Sequence, residues 1–413
     1  MPAVSARQRD VNTGSTPPGA NRQLAFLSCA MFLGMTVWFS ATAANGPIVA
    51  EFHLSSSETA WLTMAVQGGF VVGTLVSALL NLPDVINARR LFTVGCLVGA
   101  AANLALIGAN GPTALILLRA ATGAALACVY PPGMKIAAGW FEERRGAALG
   151  VLIGALTIGS AFPHLLASLS AAVAWRWLMA ASSGLAVAGG IMVAALVGDG
   201  PYVTRSAPFD PRAVARVFAD RGTRLATLGY LGHMWELYSV WTWMAAFVSA
   251  SVGAAGASVA GSALAFVTIA SGAVGSAAAG LIADRVGQAR IAAWAMLASG
   301  ACCIVAGLLF TAPLGLLAVF VGVWGVAVVA DSAQLSALVA RFSPRDHVGT
   351  ALTVQTCAGF LLTMMSIRLM PLIADAVGWR WSFLALAPGP LLGAAALRGL
   401  RRGGRLAGTG DFG

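Results

Sequence analysis

Long apolar runs alternate along the chain with short gaps of Gly, Pro and charged residues, and twelve of the runs are long enough to cross a bilayer. A hydrocarbon core about 30 Å thick takes roughly 20 helical residues. The runs cover 24 to 49, 58 to 81, 91 to 110, 113 to 139, 147 to 171, 176 to 198, 223 to 250, 258 to 282, 291 to 311, 314 to 340, 348 to 374 and 379 to 397. Lipid offers the backbone no hydrogen-bond partner, so each run must satisfy its own N–H and C=O groups. The expected fold class is an all-α membrane protein with twelve transmembrane helices.

The gaps predict an orientation. Positive residues beside the spans are retained in the cytoplasm. With the N-terminus inside, that side receives the N-terminal arginines, Arg89, Arg90, Arg144, Arg145, Arg205 to Arg224, Arg285, Arg290, Arg341, Arg345 and the tail from Arg398 to Arg405. Only Arg176 and Arg380 fall on the other side. The longest gap divides the chain evenly, giving a cytoplasmic tail (1–22), a six-helix bundle (23–198), a cytoplasmic loop (199–222), a second six-helix bundle (223–397) and a basic tail (398–413). The run Leu24 to Val49 is too long for a cleaved signal core and is expected to stay as a helix. A bacterial-type inner membrane with both termini cytoplasmic follows as the expected location.

Composition agrees with a lipid-exposed protein. Of 413 residues, 58% are hydrophobic and 10% charged. The net charge of +10 sits in the gaps and not on polar helix faces, so nucleic acid is not an expected partner. All six cysteines lie inside apolar runs without metal spacing, which predicts neither disulfide nor zinc site, and no cofactor is expected. No P-loop and no His-x-x-x-His, Asp-rich or Ser-Lys pattern is present, so the chain is not expected to be an enzyme, and any pumping must be gradient-driven.

The two halves repeat one another at a spacing of about 200 residues. Ala172-Val173-Ala174-Trp175-Arg176-Trp177 matches Ala376-Val377-Gly378-Trp379-Arg380-Trp381, Leu82-Pro83-Asp84 matches Ile282-Ala283-Asp284, and Phe141 before Gly146 matches Phe342 before Gly349. From about 24 to 397 the chain resembles the major facilitator superfamily of secondary transporters, most specifically in Gly280-Leu281-Ile282-Ala283-Asp284-Arg285-Val286-Gly287-Gln288-Ala289-Arg290. The resemblance implies two pseudo-symmetric six-helix bundles whose helices one, four, seven and ten line a central pathway. It also implies a latch at the cytoplasmic ends, carried by Gly280, Asp284, Arg285, Gly287 and Arg290 and, in a weaker first-half copy, by Asp84, Arg89 and Arg90. Arg119 to Gly123 resembles the fourth-helix R-x-x-x-G motif. Helix five carries Gly150, Gly154, Gly159 and Pro163 without the Gly-Pro step of the family's antiporters, which counts against a typical drug/proton antiporter.

An ionisable side chain at the bilayer centre costs at least about 2.5–3.5 kcal/mol, so each one needs a role. Seven lie within spans: Arg119, Lys135, His164, His233, Glu236, Asp331 and Arg368. His233 and Glu236 are three residues apart on one helix face near the midplane, an arrangement for exchanging a proton, or else a structural pair tying helix seven to a neighbour. Asp331 is a third proton-coupling candidate, with a gate or a salt bridge to Lys135 as alternatives; Lys135 itself is close enough to the interface to snorkel. Arg119, Arg368 and His164 are expected to surround an anion through bidentate donors, unless the arginines serve internal pairing and packing. Trp38, Thr42 and Asn45 share a face of helix one and, with Tyr130, Tyr238 and Trp241, complete the expected substrate contacts. Packing or interfacial roles compete for the aromatics, and Gln67 and Gln355 are weaker candidates of the same kind. The function expected from these residues is alternating-access transport by a monomer, coupling protons to a small organic anion. The alternative is efflux of a hydrophobic or cationic compound.

Overall fold

The computed structural model describes residues 17–142, 144–169, 174–203, 209–253 and 257–406, without the side chains of Asp284 and residues 401–406. Within these residues every regular element is a helix. Ten are long and apolar enough to cross a membrane: α2 (Ser56–Leu79), α3 (Ala88–Gly108), α4 (Pro112–Trp140), α5 (Arg145–Leu169), α6 (Trp175–Leu196), α8 (Ala257–Ala283), α9 (Gln288–Val305), α10 (Leu314–Phe342), α11 (Arg345–Val377) and α12 (Trp379–Leu400). Two further segments of the expected twelve depart from that standard for physical reasons. The first, α1, is broken into Ala20–Met35, Ser40–Ala43 and Asn45–Phe52. The other, α7 (Arg221–Val252), is continuous over 32 residues but too polar, because its middle carries His233 and Glu236.

Local signals set the helix ends. Ser55 and Glu58 form a reciprocal capping box at the start of α2, Asn87 caps α3, and Asp220 caps α7 through the Thr223 N–H. Pro131 and Pro132 lack N–H groups, so α4 breaks after Leu126 and restarts at Tyr130 with the prolines in its first turn. Gly287 turns the chain from α8 to α9 with φ 96°, a conformation costly for any residue with a Cβ.

The halves α1–α6 and α7–α12 are built alike where helices cross most tightly. A Cβ at Gly69 or Gly123 would stand 1.9 or 2.0 Å from backbone oxygens across the α2–α4 crossing. In the second half Gly275 and Gly325 would clash at 2.0 and 1.9 Å across α8–α10. Small residues at these points let helix backbones touch, which is how helices associate where lipid gives no hydrophobic drive. Between the halves, α5 packs along α8 and α2 along α11. A Cβ added at Gly154 would meet Ala273 at 3.5 Å and one at Gly68 would meet Met364 at 3.4 Å across those seams.

The repeated Trp-Arg-Trp does parallel work at the end away from the arginine-rich gaps. Arg176 grips Glu51 at the end of α1 with two bonds of 2.5 and 3.0 Å, and Trp175 Nε1 donates to the same carboxylate. Arg380 Nε donates to Gly307 O beyond α9 at 3.0 Å. In the connection between halves, short helices Pro211–Ala213 and Val214–Val217 precede α7, and the Asp210 N–H donates to Thr350 Oγ1 of α11. The outer surface is apolar, with Val72, Leu117, Val151, Leu281, Val319 and Leu392 exposed, as suits a lipid-facing wall.

Candidate functional site

The break in α1 creates the site's first feature. Residues 36–39 leave the helix, and their backbone oxygens need partners. The Ala43 N–H donates to Phe39 O, and Arg119 of α4, with no exposed surface, supplies two of the others. Its Nε donates to Leu62 O at 3.0 Å, Nη1 to Val37 O at 2.9 Å and Nη2 to Trp38 O. Nη1 also reaches Ser40 Oγ and Asn103 Oδ1, each at 3.3 Å. A guanidinium has five N–H groups; the one on Nε and the two on Nη1 have acceptors enough, and Nη2 bonds Trp38 O with one of its two. Arg119 thus spends most of its donors on backbone and neutral side-chain oxygens, the arrangement its packing alternative describes.

The unwound turn projects Trp38 and Phe39 to where the halves meet. Trp38 lies 5.2 Å from Phe70 of α2, 5.9 Å from Tyr238 of α7 and 5.8 Å from Phe360 of α11. Phe39 contacts Tyr238 at 6.2 Å, Trp241 at 5.9 Å and His164 of α5 at 6.2 Å. Tyr130 of α4 stacks on Phe70 at 6.4 Å. These rings form one aromatic junction drawn from both halves, and Trp38, Phe39, Phe70, Trp241 and Phe360 are all buried. Several polar atoms beside it are buried without a partner among the described residues: Trp38 Nε1, Trp241 Nε1, both nitrogens of His164 and both amide atoms of Gln67. Gln67 lies one turn before Phe70, on the sector of α2 between Phe70, facing α1, and Gly68, facing α11.

The acids lie elsewhere. Glu236, 1% exposed, points away from the junction into the second half. Its Oε1 accepts from Ser299 Oγ at 2.5 Å, Cys303 Sγ at 3.2 Å and Trp324 Nε1 at 2.8 Å, all neutral donors on α9 and α10. His233 does not pair with Glu236 as its spacing suggested. Its Nδ1 lies 2.9 Å from Asp331 Oδ1, a close contact not aligned as a hydrogen bond, and its Nε2 lies 3.0 Å from Ser332 Oγ. Asp331 sits where α10 breaks between Leu314–Ala330 and Ser332–Phe342. This contact joins α7 to α10, and of the alternatives open for Asp331 the salt bridge to Lys135 is not the one formed.

Lys135 instead bonds Asp84 and Pro83 O, in the gap after α2. Arg89 grips Asp199 beyond α6 with two bonds of 2.9 Å, donates to Val197 O, and shares Asp199 with Asn87. The first-half latch residues thus tie gaps of their own half to α4 and to the segment after α6. Arg90 and Arg285 are exposed, Gly280 and Arg290 half-buried, and the Asp284 side chain lies outside the described residues.

Arg368 does not join Arg119 and His164, which both border the unwound turn at Val37, Trp38 and Phe39. Arg368, half-buried, shares a stripe of α11 with exposed Leu361, Met365 and Leu372, on the flank turned from the junction. The common face of Trp38, Thr42 and Asn45 is likewise undone by the break. Trp38 enters the junction, Thr42 Oγ1 bonds Thr63 Oγ1 at 2.7 Å, and Asn45 opens the outer piece of α1. Trp243 packs on Trp379 and donates to Ile367 O. Phe39, Phe70 and Phe360 escaped the sequence reading because a phenylalanine in an apolar run carries no mark separating a site from a core. Ser299 and Cys303 escaped because only the fold brings α9 to Glu236.

The sequence matches the Major Facilitator Superfamily over residues 26–258 and 226–409. The chain belongs to this superfamily and is a multi-pass membrane transporter. No curated protein matches its sequence. A bacterial homologue of the human lysosomal transporter Spinster, in its inward-facing unoccupied form, superposes with a TM-score of 0.67 at 16% identity, covering 94% of this chain and 98% of that one. The inward-facing occupied form gives 0.67 at 17%, with the same coverage. At that identity the likeness is one of fold.

Proposed function

We propose that this protein is a proton-coupled alternating-access carrier of a largely apolar, ring-bearing small molecule, which it takes at the aromatic junction. The observation that carries the proposal is the junction itself. Six helices from both halves contribute its rings, so rocking of the halves must open and close it. A site made of ring faces and neutral polar atoms suits an apolar or cationic body better than an anion, because the two intramembrane arginines are engaged elsewhere or turned away. The hydrophobic-compound alternative thus stands ahead of the organic anion. The arginine-rich ends face the cytoplasm, both termini with them, in a plasma membrane of bacterial type.

Coupling falls to the second half. Glu236 is held by neutral donors, with no cation among its partners in the described residues, so it can carry a proton or lose one as α9 and α10 shift against α7. His233 and Asp331 provide a second exchangeable site one turn away. Reconstituted protein tests both parts. Accumulation of naphthalene-based solutes driven by an imposed pH gradient should vanish in Tyr238→Ala, which removes the ring shared by Trp38, Phe39, Trp241 and Phe360. Gradient-driven accumulation that survives this change would place the substrate elsewhere.

A further inference from the structure

We infer that the substrate presents an uncharged hydrogen-bond acceptor, such as a carbonyl or ether oxygen, to the indole N–H groups of Trp38 and Trp241. The inference rests on the proposed role of the junction and adds the polar half of the recognition. Both indoles flank the Tyr238 ring, at 5.9 and 5.4 Å, so one ligand seated against that ring meets both. Trp38 is 1% exposed and Trp241 2%, yet neither Nε1 has an acceptor among the described residues. Other buried indoles of this chain do: Trp243 donates to Ile367 O, Trp324 to Glu236 and Trp175 to Glu51.

An indole nitrogen donates and never accepts, so the missing partner must be an acceptor. Buried polar groups in native proteins are nearly always bonded, and leaving one unmade is costly enough to require a reason. Two such vacancies beside one ring, at a place where both halves meet, are explained together by one ligand. Gln67 and His164 lie at the margin of the same cluster and add donors that rotate to suit. Nothing charged answers them. Arg119 is engaged by carbonyls and Glu236 by α9 and α10, so an ionised ligand group would find no countercharge. A neutral acceptor asks for none.

Four naphthalenes of matched size test this by equilibrium dialysis against protein in lipid nanodiscs, with empty discs as blank: 2-acetylnaphthalene, 2-ethylnaphthalene, 2-naphthoate and 2-naphthyltrimethylammonium. The ketone should bind roughly threefold to tenfold tighter than the ethyl compound, the range of one net neutral hydrogen bond. Trp38→Phe and Trp241→Phe keep a ring and remove the N–H. Each should lower ketone affinity about threefold while leaving the ethyl compound unchanged, a split that misfolding would not produce. Equal binding of ketone and ethyl compound, tightest binding of either ion, or equal losses for both neutral ligands in the variants would overturn the inference while leaving the junction as the site. Binding of none of the four would overturn the junction reading and this inference with it.

Discussion

Helices α1 and α7 hold corresponding places in the two halves and bring aromatic rings to the same junction by opposite means. α1 leaves the regular helical ladder over residues 36–39 and relies on a fully buried cation to bond the oxygens of Val37 and Trp38. α7 keeps its helix and divides its faces. Tyr238 and Trp241 look into the junction, while Glu236, about 200° and 140° around the axis from them at 100° per residue, looks into its own half. In α1, then, geometry and charge are one device. In α7 they are separable, and that difference is open to experiment.

The largest effect is expected at Arg119. Arg119→Ala removes a donor from the oxygens of Val37, Trp38 and Leu62; Val37 O keeps Ser40 Oγ and Leu62 O lies within α2, so Trp38 O is the one left unmade, at about 1–3 kcal/mol, and thermal stability in detergent should fall and transport be lost with it. Arg119→Lys supplies three donors in the wrong geometry and should fall between. Wild-type melting in the alanine variant would show that α1 holds its break unaided.

Glu236→Gln should separate what Arg119 joins. The amide oxygen still accepts from Ser299 and Trp324, so the protein should melt within a few degrees of wild type and still exchange substrate between equal pools. Accumulation against a gradient should be lost, because the amide cannot give up a proton. If uphill accumulation in response to an imposed pH difference persisted in this variant, coupling would move to the His233 and Asp331 pair. Asp331→Asn should have a smaller effect, shifting the pH dependence of transport without abolishing it, since its contact with His233 is close but not aligned.

The fold was legible because lipid imposes it. Runs of about 20 apolar residues must be helices, and the repeats around Trp175 and Trp379 announce two alike halves. The site was legible only in part. Tyr130, Tyr238, Trp38 and Trp241 were marked by aromatic type within expected pathway helices, and the structure brings all four to the junction. Arg119 was marked as costly, but the residues that repay it are backbone oxygens, and a carbonyl has no signature in a sequence. The break at 36–39 contains neither Gly nor Pro, so helix propensity gave no warning. Spacing placed His233 beside Glu236 correctly on one helix; the partners each chooses come from α9 and α10, and a single helix cannot show them.

The smallest effect is expected at an exposed ion pair outside the junction, Arg89 and Asp199. Hydrogen bonding by the Arg89 guanidinium holds the Asp199 carboxyl below the usual aspartate range, despite some opposing desolvation, and Asn87 adds to the effect. A depressed carboxyl contributes its stability above the unfolded value of about 3.9 and loses it as pH falls through the lower folded value. From pH 8 to pH 5 the clamp should therefore be fully formed and the melting temperature should owe it no pH dependence. Both side chains are substantially exposed, at 30% and 47%, so solvent screens the pair. Asp199→Asn should cost at most about 1 kcal/mol, and added salt should narrow the gap to wild type. A loss as large as that of Arg119→Ala would mean that this clamp between the start of α3 and the segment after α6 holds the first half together as the α1 break does, and that the two regions are not energetically separate.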